Sequence, residues 1–225
     1  MAEVLPRRVS ALYYVYALVD RVPRRWRPPA IGVGGGTVEA TWIHGLCVIA
    51  SRVITPAPKS VRTQAIHDDV LASLMDTDAI APLPFGTAVV DLEGWVQARL
   101  PEFREALAAV RGSVEMTVRL LRLDAGASGQ TLKSMAEWLI ERAALPNWRY
   151  RPADNPSNLG ASLSFLVPRD EVPAFLSRIA PVASRATGLA VVPTGPGPAY
   201  SFVSTGHVTR ADRPSVLQPA LAPAG

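Results

Sequence analysis

This chain of 225 residues is poor in cysteine, lysine and aromatic side chains, and each shortage narrows what it can be. Cys47 stands alone, so no intrachain disulfide can staple the fold. No apolar run approaches the roughly 20 residues that a membrane-spanning helix needs, so no membrane association is expected. No charged-then-apolar leader heads the sequence, which makes the reducing cytoplasm the expected compartment. Lys59 and Lys133 are the only lysines, and the formal charge of +4 is carried overwhelmingly by arginine. An excess that small permits an acidic protein, an anionic surface or a nucleic acid as partner without choosing among them. What is present is 48% hydrophobic residues, enough to exclude disorder throughout and to fill one large core or two small ones.

Catalytic and metal-binding patterns are also missing. His44, Cys47 and the distant His67 fall short of the about four ligands of a structural zinc, and the usual paired cysteines are absent. His67 is followed by Asp68 and Asp69, but on a helix these carboxylates point away from the histidine. The glycines of residues 32–36 do not form a dinucleotide fingerprint, because a strand rather than a helix follows them. Ser51, Ser128 and Ser204 lack the flanking glycines of a nucleophile elbow. The expectation is a protein that is not an enzyme and holds no cofactor and no metal.

Taken in order, residues 11–19 (ALYYVYALV) read as a central strand apolar on both faces. Residues 20–36 read as a surface loop, with Arg21, Arg24, Arg25 and Arg27 among prolines and then a run of glycines. Two strands at 37–43 and 46–54 flank His44-Gly45, a two-residue hairpin turn. Ser60 is the N-cap of a helix on which Ile66, His67, Val70, Leu71 and Leu74 share the apolar stripe. A short strand follows at 79–83. Asp91 caps a second helix running to Gly112, with Pro101 expected to kink it. Val114, Met116, Val118 and Leu120 then alternate with polar residues as a strand. Beyond a Gly/Ser stretch come a helix at 131–144, a loop at 146–159, a strand at 160–167 and a helix at 170–187 stopped by Gly188. Two last strands, 189–192 and 200–204, flank a Gly/Pro turn.

These elements predict an α+β protein of two domains. Residues 1–123 form the first, its helices packed on one face of a mostly antiparallel sheet, for which a ferredoxin-like variant is the simplest arrangement. Residues 124–210 form a second, smaller α+β domain with a helical segment, and 211–225, rich in Pro and Ala, a disordered tail.

One stretch, residues 67–87 (HDDVLASLMDTDAIAPLPFGT), is denser in constraint than the rest. His67 with the turn Pro84-Phe85-Gly86-Thr87, the GSVEMTV strand and the distant run Thr194-Gly195-Pro196-Gly197-Pro198-Ala199-Tyr200-Ser201-Phe202-Val203 resemble the gas vesicle protein F/L family. The resemblance runs from about Leu12 to Val203. It implies an N-terminal domain of modified ferredoxin-like fold and an accessory role in gas vesicle assembly. The implied partners are the hydrophobic shell protein, gas vesicle protein A, and other accessory proteins, and the implied location is the gas vesicle and the cytoplasm. Relatives often carry a longer helical segment where this chain has 131–144, and commonly a Trp and a Pro where it has Gly197 and Ala199.

The motif residues His67, Pro84, Phe85, Gly86, Thr87, Gly195, Pro196, Tyr200, Ser201 and Phe202 read first as turn chemistry and core anchors, and second as contact residues. Arg21, Arg24, Arg25 and Arg27 have two readings: a solvated loop carrying charge, or a docking patch for an acidic surface. An alternative function is an RNA-binding module, in which Tyr13, Tyr14 and Tyr16 would stack on bases. The adjacent strand at 46–54 lacks the second aromatic platform that such a module uses, so nucleic acid is not the expected partner.

Overall fold

The computed structural model describes residues 12–123, 128–153 and 158–203. They fall into two compact units divided between Arg111 and Gly112. The sequence pattern places the boundary at 123/124, at the Gly/Ser stretch. The strand at 113–122 decides the difference, because both of its pairing partners lie further along the chain.

The first unit is built on strand β1 (Leu12–Val19). It pairs antiparallel with β3 (Leu46–Val53) on one side, and with β4 (Ile80–Pro82) and β5 (Ala88–Val89) on the other. Strand β2 (Val38–Ile43) completes the sheet beyond β3, giving the order β2-β3-β1-β4. His44 and Gly45 make the tight hairpin between β2 and β3 with φ of 49° and 79°, the left-handed pair that a two-residue turn requires. Helix α1 (Val61–Ala72) starts at Ser60, whose hydroxyl accepts from the Thr63 amide while Thr63 bonds back to the Ser60 amide.

Six successive residues of β1, Tyr14 to Val19, are buried. Successive side chains point to opposite faces, so both faces of the sheet are covered. Val70, Leu71 and Leu74 pack with Tyr14 and Tyr16 in one cluster. The buried Phe103, Ala106, Leu107 and Val110 of α3 (Leu100–Val110) lie outside that cluster, and α3 packs on β4 and β1. The helices therefore take opposite faces, where a single face was expected, because β1 is apolar on both sides. The expected kinked helix is two helices, α2 (Leu92–Ala98) and α3, with the break at Arg99. Pro101 sits in the first turn of α3, where its missing amide costs nothing.

The second unit has strand β6 (Ser113–Arg122) at its centre, paired with β8 (Leu159–Pro168) and β9 (Leu189–Gly197), and β7 (Trp148–Pro152) beyond β8. The order is β7-β8-β6-β9, antiparallel throughout. Helices α4 (Gly129–Ala143) and α5 (Val172–Ala183) cover one face, where Leu132, Ala136, Leu139, Phe175, Ile179 and Val182 meet Met116, Val118, Leu120, Leu163 and Phe165. Strand β7 falls where a loop was expected. Among the described residues it is an edge strand paired with β8 alone, and its Arg149, Arg151 and Pro152 are residues of the kind that keep an edge from pairing further. The expected last strand at 200–204 is instead a short 3-10 turn, Tyr200–Phe202. The amides of Tyr200 and Phe202 bond to the carbonyls of Pro198 and Ala199. The proposed tail, 211–225, lies outside the described residues.

Candidate functional site

Three groups of residues were singled out by the sequence, and the structure places them in three different environments. The first is the interior of the first unit. His67 is fully buried, and its Nδ1 lies 2.9 Å from the Tyr14 hydroxyl, which also accepts from the Gly86 amide at 3.1 Å. The rings of Tyr14, Tyr16, His67 and Phe85 stand 4.9 to 5.8 Å apart, edge-on or tilted, the arrangement that aromatic quadrupoles favour. Burial pushes His67 down to about 4 against a weaker opposite pull from Asp68, and pushes Tyr14 up to about 12. At neutral pH the histidine is an uncharged ring in a hydrogen-bonded cluster. Pro84 and Thr87 close the turn, with the Thr87 amide and hydroxyl both donating to the Pro84 carbonyl, and the Thr87 carbonyl takes the Val15 amide. The turn is thereby tied to β1 at two points, through Gly86 to a side chain and through Thr87 to the backbone.

Tyr14 and Tyr16 consequently face the core, at 1% and 0% exposure. Neither is available as a surface on which bases could stack. Tyr13 lies at the side of the strand, with the Arg52 guanidinium 5.6 Å over its ring.

The second environment is the loop between β1 and β2, which is more structured than its glycines led us to expect. Its 3-10 turn, Val33–Gly35, buries Val33 completely, and the Val33 amide donates to the Tyr16 hydroxyl at 2.7 Å, itself bonded to Ser51. A Cβ at Gly36 would overlap the Arg52 carbonyl oxygen, so the loop backbone lies directly on β3. Trp26 pins the other half, its indole donating to the Ser73 hydroxyl at the end of α1. Arg24, Arg25 and Arg27 flank this anchor and are exposed, and among the described residues no ion pair engages them. Arg21 is held by Asp78 at 2.7 Å, with both side chains more than half exposed. The four arginines are thus three exposed guanidiniums without an ion pair among the described residues, on a fixed base, and one that is already paired.

The third environment is the sheet face of the second unit that α4 and α5 leave uncovered. Glu115 and Thr117 project there from β6, and Ser164 from β8. The Ser201 amide and hydroxyl both donate to the Glu115 carboxylate, at 2.8 and 2.7 Å, and the hydroxyl also lies 3.1 Å from Ser164. These bonds draw residues 200–202 down onto the face and explain why they turn instead of extending. Gly195 has a φ of 118° and passes so close to β6 that a Cβ would meet the Glu115 carbonyl oxygen at 2.8 Å. Pro196 follows it through a cis bond. Phe202 receives the Arg149 guanidinium 5.2 Å from its ring centre, while Tyr200 is 40% exposed. Glu115 was not singled out by the sequence; as a polar residue on an alternating strand it carried no signal until its partner Ser201 was placed beside it.

Among the described residues no group of three or more His, Cys, Asp or Glu side chains is arranged to hold a metal ion. Cys47 is buried on β3, and burial lifts its thiol to about 11, far from the thiolate that reacts at neutral pH. No helix among the described residues is long and apolar enough to cross a membrane.

The fold has solved counterparts. The crystal structure of the gas vesicle protein GvpF from Anabaena sp. superposes with a TM-score of 0.76 at 17% identity, covering 88% of this chain and 98% of that one. GvpF from Microcystis aeruginosa superposes with a TM-score of 0.71 at 14% identity, covering 86% and 99%. Among curated proteins, none matches. At such identities the structures speak for the fold alone. Sequence carries the relationship further: the family model described as gas vesicle synthesis protein GvpL/GvpF matches residues 12–148 and 148–204, from the first described strand to the turn that Ser201 ties down. This chain belongs to the GvpL/GvpF family of gas vesicle proteins.

Proposed function

We propose that this protein is an accessory factor of gas vesicle assembly that binds the hydrophobic shell protein, gas vesicle protein A, together with other accessory proteins during nucleation or growth of the vesicle. The observation that carries this reading is the family match, which spans nearly all of the described residues. The chemistry agrees. A small apolar shell subunit is aggregation-prone before it is assembled, and a binder that covers an apolar helix or pairs with a strand edge holds it in solution. The work is done in the cytoplasm and at the gas vesicle. The first unit is a ferredoxin-like variant in this reading, supported by its strand order and by the antiparallel sense of every pair.

The motif residues serve this function by holding the fold rather than by touching the partner. His67, Phe85 and Gly86 on one unit, and Gly195, Ser201 and Phe202 on the other, hold turns in place, and contact falls to side chains around them. The docking patch for an acidic surface is Arg24, Arg25 and Arg27, with Arg21 beside them.

The test is capture of co-expressed gas vesicle protein A by the purified protein, with an RNA oligonucleotide pool as parallel bait. Retention of the shell protein in soluble form is the expected result; retention of RNA alone would overturn the reading. Replacing Arg21, Arg24, Arg25 and Arg27 by Ser should weaken capture at low salt and matter less at high salt. Unchanged capture removes the patch from the proposal. Recovery of the protein in purified vesicles distinguishes an incorporated component from a transient adaptor.

A further inference from the structure

The outer surface of the helix layer in the second unit holds a concavity that none of the motifs touches. It is open to solvent, encloses about 400 Å³, and is lined by Trp138, Glu141 and Arg142 of α4 and Arg178 of α5. Two of these four side chains are guanidiniums. Arg178 reaches Glu171 through one terminal nitrogen at 3.4 Å, a long contact, while its Nε is shut off from water with no hydrogen-bond partner. A buried donor left unmade is costly, and a ligand that re-aims the guanidinium would relieve that cost. Arg142 is exposed, and among the described residues no ion pair engages it. Arg185 holds its guanidinium 5.9 Å from the centre of the Trp138 ring.

We infer that this notch between α4 and α5 is a docking site for an acidic side chain of a partner protein, its carboxylate taken by Arg142 and Arg178 and its aliphatic stem laid against Trp138. Planar guanidiniums match a carboxylate in shape as well as charge. Glu141 narrows the choice of anion. Its carboxylate lines the same concavity, which a monoanionic carboxylate tolerates better than a phosphate carrying close to two charges. The site therefore selects protein acid groups over nucleic acid or free phosphate. It lies on a different unit from the arginine loop and does not depend on the identity of the shell-protein partner.

The experiment uses the full chain and a fluorescein-labelled glutamate-rich peptide, with its glutamine counterpart as control and inorganic phosphate and an RNA oligonucleotide as competitors. Anisotropy should report binding of the glutamate peptide only. Arg142→Gln and Arg178→Gln should each weaken it about tenfold, the equivalent of one charge-assisted hydrogen bond. Glu141→Gln should tighten it, a gain that a poorly folded variant could not mimic. Replacement of Arg24, Arg25 and Arg27 by Ser removes the other basic patch, so the dependence on Arg142 and Arg178 is read in that background as well as in the unaltered loop. The inference is overturned by affinity indifferent to Arg142 and Arg178 in the loop-substituted background, by weaker binding in Glu141→Gln, or by phosphate or RNA displacing the peptide through these two arginines.

Discussion

The two units share one strand order, with the first strand inside the sheet, a hairpin beyond one neighbour and the last strand on the other flank, yet they make the first crossover in different ways. In the second unit α4 carries the chain over the sheet, and its Leu132, Ala136, Leu139 and Ala143 bury themselves as a helix stripe does. In the first unit no α-helix is present between β1 and β2. Residues 20–37 cross the sheet as a loop held by Trp26, Val33, the Tyr16 hydroxyl and the glycine backbone on β3. A crossover needs cover for the sheet and partners for its own backbone. A helix satisfies its amides internally, whereas a loop must borrow side-chain partners one at a time. The loop is thus the more specific solution and the more fragile one.

That contrast can be broken most sharply at the glycines. Gly36→Ala would drive a methyl group into the Arg52 carbonyl, whereas Gly197→Ala in the second unit meets open space. The first change should destabilise its unit by about 3 kcal/mol or more and the second by well under about 1 kcal/mol. Hydrogen exchange resolved strand by strand reads both units in one sample, and equal losses at the two sites would refute the docked-loop account.

Acid should separate the units next. His67 is held at about 4 in the fold against about 6.5 in an unfolded chain, so the unfolded state takes up its proton first as pH falls. The stabilisation is complete above pH 6.5 and is lost between 6.5 and 4, up to about 3 kcal/mol for one group shifted this far. Urea titrations across that window should show the first unit weakening. His67→Gln should remove that part of the slope even if it lowers stability everywhere.

Tyr16→Phe is the finest cut. It leaves the fold's packing but strips the acceptor from the buried Val33 amide and the partner from Ser51, at about 2 kcal/mol. Protection of the Val33 amide should fall while the second unit is untouched; an unaltered amide would mean that Tyr16 does not fasten the loop.

Where elements carry their own local signal, the sequence was readable. Ser60 and Asp91 each cap a helix with a side-chain oxygen, and His44-Gly45 turns where its φ requirement said it would. The alternation of β6 was equally plain, but not its allegiance. A strand shows its faces in its own residues and its neighbours only in theirs, so the unit to which residues 113–122 belong was not legible. Strand β7 was hidden because an edge strand guarded by arginine and proline has the composition of a loop. The site divides in the same way. His67 on the apolar stripe was visible, whereas Glu115 waiting for Ser201, and Arg142 waiting beside Arg178, depend on residues tens of positions away.

Strand β1 carries one more consequence, which concerns time. Its outer ladder reaches Val89 by way of Tyr13, so one of the most apolar stretches of the chain leaves the ribosome ahead of its partners and finds the last of them only after the intervening residues have followed. At a synthesis rate of ~5–20 residues per second that interval is on the order of ten seconds. For that long the nascent chain exposes an unpaired strand that any neighbouring nascent chain can pair with, and the rate at which residues 60–89 emerge sets how long it stays so.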